Sequence, residues 1–321
     1  MTTLKELIAL SRKNKLQNKR FMGKTILIAG ATGNLGGKIV DALLTHDANV
    51  RAIVRAETEP EKVSALRDKG VQVFQLDMFD KNKVAEVCAG AYCVVSALSG
   101  LRETVIDAQK ALLDGAIEAH VPRFIPSVFS LDFTHLVSGT NRNLDWRREF
   151  EIYVDQAPIA ATSIFNGAFM DLLTTDMPLI LFRFRRILYW ENLNVKMDLT
   201  TSDDVAQYAA RVAIDADTPR HLRIAGDTVS AFDLKKIVSK ATGKQFGLFC
   251  AGSIPLLEVI IQITRFFSPA ENTLYPAWQG MQYMRDMMQG RAVVKAHDNH
   301  RYSDIGWTSV ERFLARQNAK S

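Results

Sequence analysis

Residues Lys24 to Gly37 read KTILIAGATGNLGG, and this stretch leaves the chain few folds to choose from. Thr25, Ile26, Leu27, Ile28 and Ala29 make a short run suited to a strand buried on both faces. Gly30, Gly33 and Gly36 follow at intervals of three, and Lys38 to Leu44 then places apolar residues at helical spacing. Strand, glycine turn and helix together are the setting in which a glycine triplet signals dinucleotide binding. Gly30 permits the tight turn, Gly33 lets the backbone approach a pyrophosphate, and Gly36 lets the helix pack on the strand. The backbone from Gly30 through Ala31, Thr32, Gly33, Asn34, Leu35 and Gly36 then forms the predicted phosphate cradle, at the positive end of a helix dipole.

The residues that follow repeat the strand and helix alternation. Asn49 to Val54 reads as a second strand, Val71 to Leu76 as a third, Ala91 to Leu98 as a fourth and Arg123 to Ser127 as a fifth. Helical patterns over Glu61–Lys69, Lys83–Ala89 and Thr104–Ala119 separate them. This alternation predicts a Rossmann-type α/β fold, a doubly wound parallel sheet with helices on both faces. Ligand chemistry in such a sheet belongs at the carboxyl ends of the strands. Arg55 stands directly after the second strand, where an acidic residue would bind the ribose 2′-hydroxyl of NAD. An arginine there pairs with a 2′-phosphate, so the sequence predicts NADP(H), with Lys62 as a second positive charge. Asp77 and Met78, ending the third strand, are expected near the adenine. Ser96, Ala97 and Leu98 on the fourth strand leave room for the cofactor's ribose, and Ser127 ends the fifth.

Composition bounds the alternatives. The chain has 321 residues, 47% hydrophobic and 23% charged, enough for a large core and two domains or one enlarged α/β domain. The net charge of +5 suits an anionic cofactor, but without a localised basic face it makes no case for specific nucleic-acid binding. Arg183, Arg185 and Arg186 do alternate with aromatics in Leu179–Trp190. With no second basic-aromatic strand beside it, that stretch reads as an edge strand or hairpin with one wet face. Cys88, Cys93 and Cys250 lack metal-ligand spacing, and His297 and His300 lack a carboxylate or cysteine partner, so no metal site is expected and the histidines read as surface residues. Reduced thiols, no secretory signal and no transmembrane segment predict a cytoplasmic protein, monomeric or homodimeric. Three regions are expected: a basic leader over 1–23, an NAD(P)-binding domain over 24–165, and a smaller substrate-binding α/β region over 166–321, some segments of which return to the Rossmann sheet.

GATGNLGG after a strand, Arg55 after the second strand, RFIPS at the fifth and Phe165-Asn166-Gly167-Ala168-Phe169 after the sixth together resemble the NmrA-like and isoflavone-reductase-like proteins. These are atypical members of the short-chain dehydrogenase/reductase superfamily, and the resemblance runs from about residue 24 to about residue 245. It implies NADP(H) bound to a Rossmann domain and a C-terminal substrate cleft. It places Asn166 at the cofactor's nicotinamide end, and Phe129 and Phe169 beside a small-molecule substrate. Enzymatic members reduce aromatic, phenylpropanoid-type or quinone-like molecules, whereas others are redox-sensing regulators without known catalysis. Two departures concern catalysis. None of the seven tyrosines is followed four residues later by a lysine, so the superfamily's Tyr-x-x-x-Lys pair is absent. In the helix after the fifth strand, Arg147 falls where the isoflavone-reductase-like enzymes carry a lysine. An arginine can orient ribose or an oxyanion but is a poor proton donor at neutral pH. The resemblance thus implies an NADP(H)-dependent reductase of a small aromatic, quinone-like or conjugated carbonyl substrate, or else a non-catalytic NADP(H)-binding redox sensor of the NmrA type.

Overall fold

The computed structural model describes residues 23–175, 177–294 and 297–318, so the expected basic leader, all but Gly23, lies outside the described residues. Strands β1 (Thr25–Ala29), β2 (Asn49–Val54), β3 (Gln72–Gln75), β4 (Cys93–Ser96), β5 (Arg123–Ile125) and β6 (Ala160–Ala161) build a six-stranded sheet in the order β3-β2-β1-β4-β5-β6. Every pairing in it is parallel. The connecting helices are α1 (Asn34–Thr45), α2 (Pro60–Asp68), α3 (Lys81–Cys88), α4 (Gln109–Glu118) and α5 (Arg142–Gln156).

Alternate residues of β1 supply opposite cores, which is why the strand reads as continuously apolar. Ile26 and Ile28 pack with Ile39, Val40 and Leu43 of α1. Leu27 and Ala29 pack with Val84 of α3, Leu112 of α4 and Phe150 of α5. The expected doubly wound sheet is therefore present.

The segment 160–165 is divided between two sheets. Thr162 still donates its N–H to Phe124, but Ser163 donates to Arg220, and β7 (Ser163–Phe165) pairs with β12 (His221–Arg223) in a separate two-stranded sheet. The break falls beside the buried Arg123, which bonds Val212, Thr162 and Thr218. Satisfying that guanidinium draws the segment around Thr218 against the end of the main sheet. The single helix expected over 104–119 opens with a π-helical turn, Glu103–Ala108, before α4.

The remaining elements are β8 (Ala168–Phe169), β9 (Ile180–Leu181), β10 (Arg186–Tyr189), β11 (Lys196–Thr200), α6 (Ser202–Ile214), β13 (Asp227–Ser230), α7 (Ala231–Thr242), β14 (Gly247–Cys250), α8 (Ile254–Phe267), α9 (Ala277–Met288) and α10 (Val310–Asn318). They form sheets β13-β11-β8 and β14-β10-β9 over a second core that includes Trp190, Leu199, Leu257, Trp278 and Met287. Helix α6 does not join that core. Its Val205, Tyr208, Ala209 and Val212 pack on the same side of the main sheet as α1, so a helix from the second half completes a layer of the first. Among the described residues, no helix is long and apolar enough to cross a membrane.

Helix α7 begins with a capping box. Ser230 Oγ accepts from Asp233 N–H at 3.2 Å, and Asp233 Oδ2 accepts from Ser230 N–H at 2.9 Å. Ser230→Ala is expected to lower unfolding stability by about 1 kcal/mol, read from the urea midpoint. Hydrogen bonds from Lys196 and then Ser230 hold the Asp233 carboxyl at about 2. Because this value lies below that of the unfolded chain, the stabilisation is complete above the ordinary carboxylate range and is lost as pH falls towards about 2. Asp233→Asn should flatten the acid limb of the stability curve.

Candidate dinucleotide and active site

The carboxyl edge of the main sheet gathers the residues singled out in the sequence. At the end of β1, Gly30 has φ +91°, and a Cβ on it would meet Ala97 O at 2.6 Å. Gly33 donates its N–H to Gly30 O at 3.0 Å, closing the turn. A Cβ on Gly36 would lie 2.0 Å from Gly30 O, so α1 sits on β1 at a distance only glycine allows. The first intrahelical bond runs from Gly37 N–H to Gly33 O, which leaves the N–H groups of Asn34, Leu35 and Gly36 without acceptors in the helix. No side chain caps this end and its first turn carries no acid. Thr32, Gly33 and Asn34 are exposed and Ala31 is buried beneath them. An uncapped, acid-free helix start behind a glycine turn is a site for an anion.

At the end of β2, Arg55 projects into solvent with 86% of its side chain exposed, and its Nε lies 3.7 Å from Glu57 Oε1. Lys62, on α2, pairs instead with Glu59 at 2.8 Å. Gln75 Nε2 donates to Ala56 O, tying the turn after β2 to the end of β3. Asp77 Oδ1 accepts from Phe79 N–H, Met78 is half-buried against the α3 side of the core, and Phe79 is 48% exposed. An exposed aromatic ring here is a candidate face for a purine. Phe79 lies past the end of the third strand, beyond the positions that the strand pattern marks.

At the end of β4, Ser96 is fully buried and its Oγ has no hydrogen-bond partner. Ala97 donates its N–H to Ala29 O. Leu98 O accepts from Ser127 Oγ at 2.7 Å, while Ser127 N–H donates to Gln109 Oε1. Gln109 is buried and donates back to Val105 O in the π turn. It fixes Ser127 from behind, and a glutamine in an amphipathic pattern gave no sign of that role.

After β5 the chain stays close to the sheet. Asn166 N–H donates to Ser130 O, and Asn166 O accepts from Thr200 Oγ1. Asn166 is fully buried with its Oδ1 unpartnered. Gly167 follows with φ +66°, and a Cβ there would lie 2.2 Å from Asp198 O. Phe129 is buried in the core with Ile125 and Ile164, so it supports the strand end and presents no free ring. Phe169 is half-buried. Arg147 donates from Nε to Val128 O at 3.1 Å and from Nη1 to Asn143 O at 3.0 Å. It thereby clamps the loop after β5 to α5. Asp132 secures the same loop from the other side through Arg223 at 2.6 Å. Burial raises the Asp132 pKa, but hydrogen bonds from Thr134 and Arg223 outweigh it and hold the carboxyl below its usual range.

Tyr283 of α9 also reaches this loop. It packs over Val128, Phe133, Leu144 and Phe165, and its hydroxyl lies near the side chains of Ser130, Asn143 and Arg147. No lysine follows Tyr283 four residues on, so the sequence carries no signal for it. His297 is half-buried with Nε2 3.3 Å from Asp198 Oδ1, which corrects its reading as a surface residue, while His300 is exposed. Among the described residues, no cluster of histidine, cysteine and acidic side chains could hold a metal ion.

The residues present fit a dinucleotide. The glycine backbone is a cradle that any Cβ at Gly30 or Gly36 would fill, and buried orphan oxygens at Ser96 and Asn166 lie along the same edge. Fold and site thus define a Rossmann-type dinucleotide-binding protein. The sequence model of the NmrA-like family matches residues 22–314, and the chain belongs to that family. Pinoresinol reductase 1 of Arabidopsis thaliana is 26% identical over 246 residues, 71% of this chain and 78% of its own length. A crystal structure of isoflavone reductase superposes with a TM-score of 0.78 at 21% identity, covering 92% of this chain and 99% of that one. The structure of AtPrR2 with NADP+ and (+)pinoresinol gives 0.77 at 19% identity, covering 92% and 98%.

Proposed function

We propose that the chain is an NADP(H)-dependent reductase of a small aromatic, quinone-like or conjugated carbonyl molecule. The observation that carries this reading is the uncapped glycine cradle with Arg55 exposed at the neighbouring strand end. Membership of a family with named reductases among its relatives supports it. When bound, NADPH supplies the hydride. The N–H groups of Asn34, Leu35 and Gly36 hold the pyrophosphate, and Arg55 pairs with the 2′-phosphate. Asp77, Met78 and Phe79 flank the adenine. Ser96, Ala97, Leu98 and Ser127 line the ribose, and Asn166 faces the nicotinamide end. Phe169, with Leu136 and Tyr283 above the edge-to-face Phe133–Phe165 pair, forms an apolar, aromatic rim suited to a flat acceptor. Residues 24–165 supply the cofactor side and 166–321 the acceptor side. Cytoplasmic localisation belongs to the proposal, supported by Cys88 and Cys93, free buried thiols that burial pushes up to about 12.

Fluorescence titration is expected to show NADPH binding at least about tenfold more tightly than NADH. Quinones, enones and phenylpropanoid-type acceptors should then give steady cofactor oxidation. Tight binding without turnover on any acceptor would favour the redox sensor, the reading to which the missing Tyr-x-x-x-Lys pair points. Failure of both cofactors to bind would remove the reading of the glycine cradle.

A further inference from the structure

Tyr283 comes from the last quarter of the sequence yet stands at the carboxyl end of β5. Its ring covers the cluster of Val128, Phe133, Leu144 and Phe165, and its hydroxyl meets the side chains of Ser130 and Asn143. Both partners are fixed. Ser130 is buried and bridges to Phe165, and its carbonyl holds Asn166 N–H at 3.0 Å. Asn143 is buried, donates to Leu274 O and accepts from Arg142 Nε. Arg147 lies beside the phenol with Nε and Nη1 committed to backbone carbonyls. No hydrogen bond involves its Nη2 among the described residues. The titratable groups acting on the phenol are Arg147 from α5 and Tyr275 from the segment before α9, the latter ring 6.5 Å away.

We propose that Tyr283 is the proton donor of this reductase and that Arg147 stabilises the phenolate left behind, so that α9 and α5 share a task that Tyr-x-x-x-Lys would place on one helix. This rests on the reductase reading above. In the step, the acceptor's electrophilic carbon takes the hydride of the reduced nicotinamide, and the π pair of the conjugated carbonyl shifts to oxygen. That oxygen takes the phenolic proton as the phenol O–H bond breaks. The acceptor is reduced by two electrons, the cofactor is oxidised, and water returns a proton to the phenolate, with Ser130 and Asn143 orienting its oxygen. Burial raises the phenol above its ordinary value and the Arg147 charge opposes that rise. The group therefore stays protonated at neutral pH, while its anion has a fixed counter-charge.

Tyr283→Phe keeps the ring and removes only the hydroxyl. It is expected to lower kcat about 100-fold or more while leaving the Kd for NADPH within about twofold, because the phenol lies away from the phosphate cradle. Unaltered protein should lose activity at high pH as the phenol ionises, and the variant should lack that limb. A readout independent of turnover is the ultraviolet phenolate absorbance of the protein without cofactor. The difference between unaltered protein and Tyr283→Phe isolates one tyrosine titrating above the ordinary value, and Arg147→Gln should move that titration higher. A variant that keeps kcat within about threefold with an unchanged pH profile would overturn the donor assignment and leave the reductase reading standing. A Tyr283 titration unmoved by Arg147→Gln would overturn the pairing. Absence of turnover by the unaltered protein on every acceptor, with NADPH bound, would overturn both the reductase reading and the donor.

Discussion

Replacing Gly36 with alanine is expected to weaken NADPH binding about 100-fold or more. The added Cβ would stand 2.0 Å from Gly30 O and 2.7 Å from Gly30 C. Both are backbone atoms in a turn closed by its own hydrogen bond, so no side chain can swing aside. Relief must come from moving α1 off β1, which displaces the N–H groups of Asn34 and Leu35 from the cradle. Overpacking of this kind costs about 1–3 kcal/mol of stability, and misplaced phosphate donors should weaken NADPH binding about 100-fold or more. Gly37→Ala is the matched control. Its nearest atom would be Ala31 O at 3.4 Å, an ordinary contact. A helix-interior alanine there should leave binding intact and add about 0.4–1 kcal/mol of stability. Titration and urea unfolding of the two variants side by side decide the matter. Gly36→Ala binding NADPH as tightly as the parent would mean that the cofactor does not use this turn.

Reversing the charge at Arg55 should invert the preference between cofactors. The side chain is 86% exposed with only a loose contact to Glu57, so Arg55→Glu removes little from the fold. A charge-assisted bond to a 2′-phosphate is worth about 1.5–3 kcal/mol, and the new carboxylate adds repulsion. NADPH binding is expected to weaken about 100-fold, while NADH, with a hydroxyl that a carboxylate can accept from, should hold or improve. The measurement is the ratio of the two dissociation constants. An unchanged ratio would assign the 2′-phosphate to another cation. Lys62 would be the next to test, once freed of Glu59.

The parts of the molecule legible in the sequence are those whose cause is local. β1 and β2 fall on Thr25–Ala29 and Asn49–Val54 as read, because a buried run carries its own signal. The glycines were legible because a phosphate cradle leaves each a separate task. What escaped was set by distant partners. The break at Thr162 depends on Arg123 reaching Val212 and Thr218, and no local pattern announces it. The same holds for Gln109 behind Ser127 and for Tyr283 beside Arg147, since the sequence separates the latter pair widely while the fold brings them to one loop. The family resemblance places Phe129 beside the substrate, yet packing turns it inward.

The placement of α6 bears on how the protein is made. This helix closes the face of the sheet over α1, yet a ribosome reaches it long after β1, α1 and β2 have emerged. At about 5–20 residues per second, the apolar side of α1 waits on the order of ten seconds or more for its cover. During that interval the surface of α1 and the sheet that Val205, Tyr208, Ala209 and Val212 later cover is open to whatever is nearby. Newly made chains should therefore lean on a holdase during synthesis, and a stalled product ending before residue 202 should be sticky even though all six strands of the main sheet are already present.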